Sequence, residues 1–272
     1  MAEESGSYPF VKGHGTENDF VLLPDHDGAV HGDLDPERVR ALCDRRAGIG
    51  ADGVIRVLRA EPGSDADWFM DYRNADGSLS EMCGNGVRVL ARHLVTEGLV
   101  DPAAPIPIAT RGGTKTVTVD GDAITVDMGR PEVLDTTTVA VGEREWEALH
   151  VDMGNPHAVA FVDDLGDAGT LLEAPTHDDA TYPAGVNVEF VVRRGERHLA
   201  MRVHERGSGE TRSCGTGACA VLVAGALADD APRDTDYRVD LPGGTLSLRW
   251  TPDDRVLMTG PAVLVASGTT SL

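Results

Sequence analysis

Two cysteine-centred stretches carry the residue types best suited to chemistry. The first runs Asn74-Ala75-Asp76-Gly77-Ser78-Leu79-Ser80-Glu81-Met82-Cys83-Gly84-Asn85-Gly86. The second runs Glu205-Arg206-Gly207-Ser208-Gly209-Glu210-Thr211-Arg212-Ser213-Cys214-Gly215-Thr216-Gly217. In both, a polar loop leads into Cys-Gly-x-Gly and then into an apolar run of helical length. A cysteine so placed sits at the mouth of a helix, where unpaired N–H groups and the positive end of the dipole favour an anion. A thiol with an ordinary pKa of about 8.5 is therefore expected to fall toward neutrality at each mouth. The glycines that follow let the backbone approach a ligand closely, with N–H groups placed to hold a carboxylate.

If two such mouths face each other, a substrate carboxylate held between them puts its α-carbon between two sulfurs. One thiolate removes the α-proton from one face and the other thiol delivers a proton to the opposite face, so the configuration inverts. Near-attack distances on each side imply sulfurs roughly 7 Å apart. The α-proton is weakly acidic, so the charge that develops needs aligned N–H donors in a dry pocket. This chemistry is racemisation or epimerisation of an amino acid without a cofactor.

The elements that must position these residues recur along the chain. Asn18 aligns with Asn155 and Gly48 with Gly185 at an offset of 137 (155 − 18 and 185 − 48). Cys83 aligns with Cys214 at an offset of 131 (214 − 83), which also pairs Met70 with Met201, Gly84 with Gly215 and Gly86 with Gly217. Each copy reads strand, polar loop, cysteine, apolar helix, which points to duplicated halves with a boundary near Gly129-Arg130-Pro131. Helices are predicted over Pro36–Arg46, capped by Asp35 with Pro36 at the first position, and over Gly84–Glu97, ending at Gly98. A third, Gly215–Ala228, is apolar almost all round and should be buried within its half. Strand-like runs are Asp19–Leu23, Gly53–Leu58, Asp67–Arg73, Thr114–Val119 and Ala123–Met128, then His157–Val162, Val186–Val192, Leu199–Glu205, Thr245–Trp250 and Val263–Val265. The chain reads as mixed α/β of the α+β type.

Composition narrows the function classes. Asp and Glu number 45 against 24 Lys and Arg, a formal charge of −21, which repels phosphate backbones and anionic lipid and argues against nucleic-acid or membrane-surface partners. Only Lys12 and Lys115 are lysines, leaving little room for Schiff-base or lysine-tethered pyridoxal chemistry. No stretch approaches the roughly 20 apolar residues of a membrane helix, and Met1–Tyr8 lacks the pattern of a secretory signal, so a cytoplasmic location is expected. Four cysteines without a C-x-x-C pair suit reduced thiols. Cys43 and Cys219, inside predicted helices, read as buried apolar residues. The nine histidines show no metal-ligand spacing, so no metal is expected. Gly48-Ile49-Gly50-Ala51-Asp52-Gly53 matches G-x-G-x-x-G formally, but a helix precedes it and a strand follows, the wrong order for a dinucleotide site.

Taken in order, these motifs resemble the diaminopimelate epimerase family. The likeness runs through Gly15-Thr16-Glu17-Asn18-Asp19-Phe20, Gly48 to Gly53, Asn74-Ala75-Asp76-Gly77-Ser78 and Met82 to Gly86. It continues through Gly154-Asn155-Pro156-His157-Ala158, Gly185-Val186-Asn187-Val188-Glu189-Phe190, Glu205-Arg206-Gly207 and Cys214 to Gly217. The resemblance implies conversion of LL- to meso-diaminopimelate, for lysine and cell-wall synthesis, with no cofactor. It further implies two pseudo-symmetric domains, each a curved, mostly antiparallel sheet around a central helix, with the site in the cleft between them and a homodimer as the assembly. The expected division is 1–128, 129–264 and a tail, 265–272, that returns to the first domain.

Carried over by position, Cys83 and Cys214 are the acid–base pair, and His157 and Glu205 stand where thiol-tuning residues are found. Gly84, Asn85, Gly215 and Thr216 would hold the reacting carboxylate, and Asn18, Asn74, Asn155, Asn187, Glu205 and Arg206 the remaining polar groups. Arg206 suits a bidentate grip on the distal carboxylate. One departure is Gly53, where many relatives carry a Gln that contacts substrate; backbone or water is expected to take over that contact. Two other readings compete. A proline or hydroxyproline racemase typically has His where Asn85 stands and would not need Arg206 with several asparagines. A thiol redox sensor would pair Cys83 with Cys214 reversibly.

Overall fold

A computed structural model describes residues 6–272. Of the stretch Met1–Tyr8 read for a secretory signal, residues 1–5 lie outside the described residues. The described chain divides into two compact units, one within Met1–Val126 together with Pro261–Leu272, the other Asp127–Gly260. No helix among the described residues is long and apolar enough to cross a membrane.

The first unit opens with β1 (Tyr8–Gly15) and β2 (Asn18–Pro24), an antiparallel pair. Their two-residue turn, Thr16 and Glu17, has φ of 49° and 62°, the left-handed pair that matches strand twist in a tight hairpin. After α1 (Pro36–Cys43), β3 (Gly53–Arg59) lies parallel to β2, and β4 (Trp68–Asn74) returns antiparallel to β3. A polar loop then enters α2 (Gly84–Thr96), followed by β5 (Ile106–Ala109), β6 (Lys115–Asp120) and β7 (Ala123–Gly129). The sheet has two apolar faces because β2 is buried on both. Val21 and Leu23 join Val39 and Leu42 of α1, while Phe20 reaches toward Gly86 of α2. Along α2, Val87, Leu90, Ala91 and Leu94 are fully buried against β1, β2, β3, β4 and β6, the stripe that a 3.6-residue period places on one side. The valine and the two leucines of this stripe each stabilise the fold by about 1.5–3 kcal/mol relative to exposure.

The second unit begins with β8 (Glu132–Val141) and β9 (Arg144–Asp152), an antiparallel hairpin, and β10 (Pro156–Phe161) pairs with β9. A short β11 (Thr176–His177) joins β8. β12 (Asn187–Gly195) lies parallel to β10, and β13 (His198–Glu205) returns antiparallel, as β4 does to β3. A loop containing β14 (Gly209–Glu210) enters α3 (Gly215–Ala228), followed by β15 (Asp236–Leu241), β16 (Gly244–Trp250) and β17 (Val256–Pro261). α3 is buried almost along its whole length by β9, β10, β12, β13, β15 and β16, as its all-round apolarity requires. Phe190, Val188 and Ala158 close a second core on the opposite side of this sheet. The last strand, β18 (Val263–Thr270), belongs to the first unit and pairs antiparallel with β1. The boundaries between units thus fall inside β7 and β17.

The fold is α+β, and the order strand–parallel strand–antiparallel strand–cysteine–helix occurs in each unit. One predicted element is shorter than its pattern. The first helix stops at Cys43 instead of Arg46, because Asp44 turns extended and its carboxylate accepts the N–H groups of Arg46 and Ala47, both at 2.7 Å. Such a side-chain acceptor competes with the next helical turn and wins. The glycines that follow have a packing role: a Cβ on Gly48 would lie 2.0 Å from Ala41 O and 2.9 Å from Leu42 O, both backbone atoms. α1 precedes this motif and β3 follows it, the order that excludes a dinucleotide-binding turn.

Because neither carbonyl can move without unwinding α1, Gly48→Ala is expected to lower unfolding free energy by at least about 2 kcal/mol in urea titration. A loss below about 0.5 kcal/mol would show that this approach is not tight.

Candidate active site

In the first unit, Cys83 is the N-cap of α2, with extended backbone (φ −141°, ψ 117°). Its sulfur accepts the Gly86 N–H at 3.5 Å and its thiol donates to Asn18 Oδ1, also 3.5 Å. Asn85 Nδ2 donates to the same oxygen at 3.1 Å, and Asn18 Nδ2 donates to Asp52 Oδ2 at 2.8 Å. Asp52 is tied to Arg45 at 2.6 Å, and Arg45 also grips Asp19. Burial pushes the Asp19 carboxyl up, but hydrogen bonds and charge from Arg45 and Lys12 outweigh it and hold it at about 2. Asn74 ends β4 opposite Gly53, and its amide donates to Ser78 Oγ at 3.0 Å, closing the loop that leads to Cys83. A Cβ on Gly53 would meet Tyr72 Cε2 and Arg73 O at 2.5 Å each, so Tyr72 fills the space a longer side chain would take.

In the second unit, Cys214 caps α3 in the same way (φ −117°, ψ 113°), accepting the Gly217 N–H at 3.3 Å, with Thr216 Oγ1 3.6 Å away. His157, fully buried on β10, has Nδ1 2.6 Å from Glu189 Oε1 and Nε2 3.1 Å from Asn155 Oδ1. Asn187, at the head of β12, donates to Pro156 O at 3.2 Å and accepts the Arg206 N–H at 2.9 Å. The Arg206 guanidinium rests on the carbonyls of Ala184 and Gly185, at 3.2 and 3.5 Å. Glu205 accepts the Thr211 hydroxyl.

The thiol of Cys214 corrects one expectation. Its pKa lies well above the usual value rather than near neutrality: burial is the largest cause, and the carboxylates of Glu205 and Glu189 push the same way. The hydrogen bonds from Thr216 and Gly217 lower it and do not offset that sum. Desolvation of a buried anion defeats the helix mouth here. Cys43, buried against α1's neighbours, is raised to about 11, as fits an inert thiol.

The structure thus gathers Asn18, Gly84 and Asn85 around Cys83, and His157, Asn155, Glu205, Gly215 and Thr216 on the elements that serve Cys214. Glu189 was not singled out from sequence. It is a fully buried carboxylate whose Oε2 has no hydrogen-bond partner, and a Cβ on Gly217 would lie 2.6 Å from its Oε1. The available signal was an acid inside the apolar run Val186–Val192, two residues from Asn187 and so on its strand face. Among the described residues no cluster of three or more His, Cys, Asp or Glu is placed to hold a metal ion.

Solved structures of other proteins share this fold. A Bacillus anthracis protein of the PhzF phenazine-biosynthesis family superposes with a TM-score of 0.72 at 16% identity, covering 97% of this chain and 99% of that one. A hydroxyproline epimerase from Agrobacterium vitis superposes at 0.70 with 15% identity, over 99% and 93%. These share the fold. The model of the family described as diaminopimelate epimerase matches residues 10–134 and 149–265. Diaminopimelate epimerase from Streptomyces coelicolor is 58% identical over 95% of this chain and 94% of its own length. The enzyme of that name from Corynebacterium glutamicum is 47% identical, over 96% and 97%. The chain belongs to the diaminopimelate epimerase family, and is an enzyme of the isomerase class.

Replacing Glu189 by Gln removes one of the charges that keep Cys214 protonated, so its ionisation should move to lower pH. Alkylation of the Cys214 peptide by iodoacetamide at pH 8 is expected to quicken by about 10-fold, one pKa unit's worth. An unchanged rate in a folded Glu189→Gln protein would remove Glu189 from the electrostatics of this thiol.

Proposed function

We propose that this chain interconverts LL- and meso-diaminopimelate, with Cys83 and Cys214 as the two acid–base groups. The observation that carries this reading is that each unit independently makes its cysteine the N-cap of a buried helix, with the sulfur accepting an N–H from the third residue on. Membership of the family supplies the substrate, and the matched positions supply the roles.

The reaction requires one thiol on each face of the α-carbon. The N–H groups of Gly84, Asn85, Gly215 and Thr216 hold the α-carboxylate, where helix dipoles stabilise the enediolate-like charge as the proton leaves. Cys214, raised in pKa by burial and two carboxylates, enters the cycle as the protonated thiol that delivers hydrogen. Cys83 takes the proton from the opposite face, and the roles exchange in reverse. Electrons stay balanced: the C–H bond breaks onto the thiolate, and the new C–H bond forms from the other S–H. Asn74, Asn155, Asn187 and Arg206 recognise the second amino-acid head, with Arg206 leaving its backbone carbonyls to grip the distal carboxylate. His157 and Glu205 tune the thiols. The step consumes no cofactor.

A cytoplasmic setting, which keeps both thiols reduced, and a homodimer are parts of this proposal and rest on the family resemblance. The dimer would elute in size-exclusion chromatography at about twice 28.7 kDa. A proline-type racemase is less favoured, since Asn85 and Arg206 suit a substrate with two heads.

Reduced enzyme is expected to convert LL-diaminopimelate, while Cys83→Ala and Cys214→Ala each lose at least about 1000-fold in kcat with the circular-dichroism spectrum unchanged. Wild-type turnover in either variant would sink the assignment. Arg206→Ala should raise KM for the same substrate by about 10- to 100-fold with a smaller change in kcat, as expected for lost ground-state binding.

A further inference from the structure

Around Cys83 the amide side chains form a line of hydrogen bonds with only one permitted direction. At one end is Arg88, wholly buried in α2, whose Nη2 donates to Asn85 Oδ1 at 2.9 Å. An arginine only donates, so Asn85 has to present its oxygen there and turn its Nδ2 away, onto Asn18 Oδ1. At the other end is Asp52, whose ionised carboxylate only accepts, so Asn18 has to present Nδ2 to it and keep Oδ1 on the inner side. Both ends therefore impose the same sense on the two amides. The oxygen they fix in place is the one that accepts the Cys83 thiol.

We infer that Arg88 and Asp52 are positioning residues that lock the amides of Asn85 and Asn18 in one orientation, so that Asn18 turns its carbonyl oxygen, and not its NH₂, toward Cys83. Two consequences follow for substrate handling. The Asn18 oxygen favours the S–H form of Cys83, and so favours release of the sulfur's proton only when substrate displaces that contact. The same oxygen offers an acceptor to a substrate ammonium, not a donor to a carboxylate. Arg88 anchors from within: Thr16 Oγ1 and Pro261 O accept two more of its N–H groups, at 3.4 Å each, and a Cβ on Gly15 would crowd Nη2 at 2.9 Å. Asp52 is anchored from outside by Arg45 and by the Asp19 backbone N–H, at 2.6 and 3.2 Å. The line belongs to the first unit. In the register that pairs the cysteines, Thr216 and Cys219 stand at the positions of Asn85 and Arg88 (216 − 85 and 219 − 88 both equal 131), and neither offers an amide or a cation.

The catalytic meaning of this lock rests on Cys83 being one of the proposed acid–base pair, but its test reads the sulfur directly. The full-length reduced protein is alkylated with iodoacetamide across pH, and the Cys83 peptide is followed by mass spectrometry. Asp52 is half-exposed, so Asp52→Asn keeps the fold and leaves Asn18 held from the Asn85 side alone, so that part of the population turns its NH₂ toward the sulfur, where it favours the thiolate. The alkylation midpoint should move down by about half a pH unit, a roughly 3-fold faster reaction at pH 7. In an Asn18→Ala background the same substitution should move nothing, because its effect passes through that amide. Asp19, Arg45 and Lys12, the other charged groups of the cluster, are unchanged in both backgrounds. Equal shifts in both would mean a plain charge effect of Asp52, and no shift in either would mean no lock; each overturns the inference. At the buried end Arg88→Gln, which can accept as well as donate, frees Asn85 to turn; added to Asp52→Asn it should move the midpoint further down than Asp52→Asn alone, and an unchanged midpoint in the folded double variant removes Arg88 from the lock. Failure here, with the cysteine variants still inactive on diaminopimelate, would discard the lock and keep the epimerase reading; the reverse pattern would do the opposite.

Discussion

The proposed chemistry depends on a backbone constraint: a cysteine held in extended conformation as the first half-turn of a buried helix. That position gives the sulfur an N–H donor and turns the other N–H groups of the first helical turn toward the same end of the helix. A buried helix is needed to keep those donors dry, because in bulk water they would be satisfied and of little use to a developing carbanion. α2 achieves this with one apolar stripe plus the buried Arg88 and His93, and α3 with apolar residues on nearly every side. The strand entering from β4 or β13 and the glycines after each cysteine complete the same device twice.

Duplication repeats the device but not its electrostatics. Around Cys214 the nearby charges are carboxylates, Glu189 and Glu205, and burial adds to their effect. Around Cys83 the nearest fixed groups are neutral amides, themselves held by a cation at one end and a carboxylate at the other. Two chemically different surroundings for two otherwise matched thiols are what a two-base transfer can use: burial and charge hold the proton on Cys214, whereas on Cys83 it is held by a hydrogen bond that a substrate can displace.

Much of this was legible in the sequence where the signal is local. The periodicity of Gly84–Glu97, the unbroken apolarity of Gly215–Ala228 and the Asp35-Pro36 cap each specify an element through nearest neighbours, and the structure shows those elements. The cysteines' place at two helix mouths was legible for the same reason. β1, β8 and β9 were not, because Lys12, His14 and the largely exposed, polar residues from Glu132 to Thr138 break the alternation that marks a strand; their pairing is decided by the sheet. Tertiary burial also explains the misjudged thiol. Helix-mouth stabilisation of Cys214 can be read from Cys-Gly-Thr-Gly, but the desolvation that overrides it depends on β10, β12 and β13 closing around α3. Glu189, Asp52 and Arg88 were passed over because their partners lie 32, 34 and 3 residues away, and only the first two separations require a folded sheet. Arg88 sits one helical turn from Asn85 and could have been found from the spacing alone.

The most direct test of transfer between two thiols is the fate of the hydrogen itself. Reduced enzyme is given protiated LL-diaminopimelate in deuterium oxide, and both isomers are analysed by mass spectrometry before about a tenth of the substrate has turned over. Two separate acid–base groups predict one deuterium at the inverted centre of nearly every meso product, while recovered LL substrate keeps its original proton. Product that retains the substrate's own hydrogen would mean a single group working on both faces, and would contradict the assignment of Cys83 and Cys214 as partners.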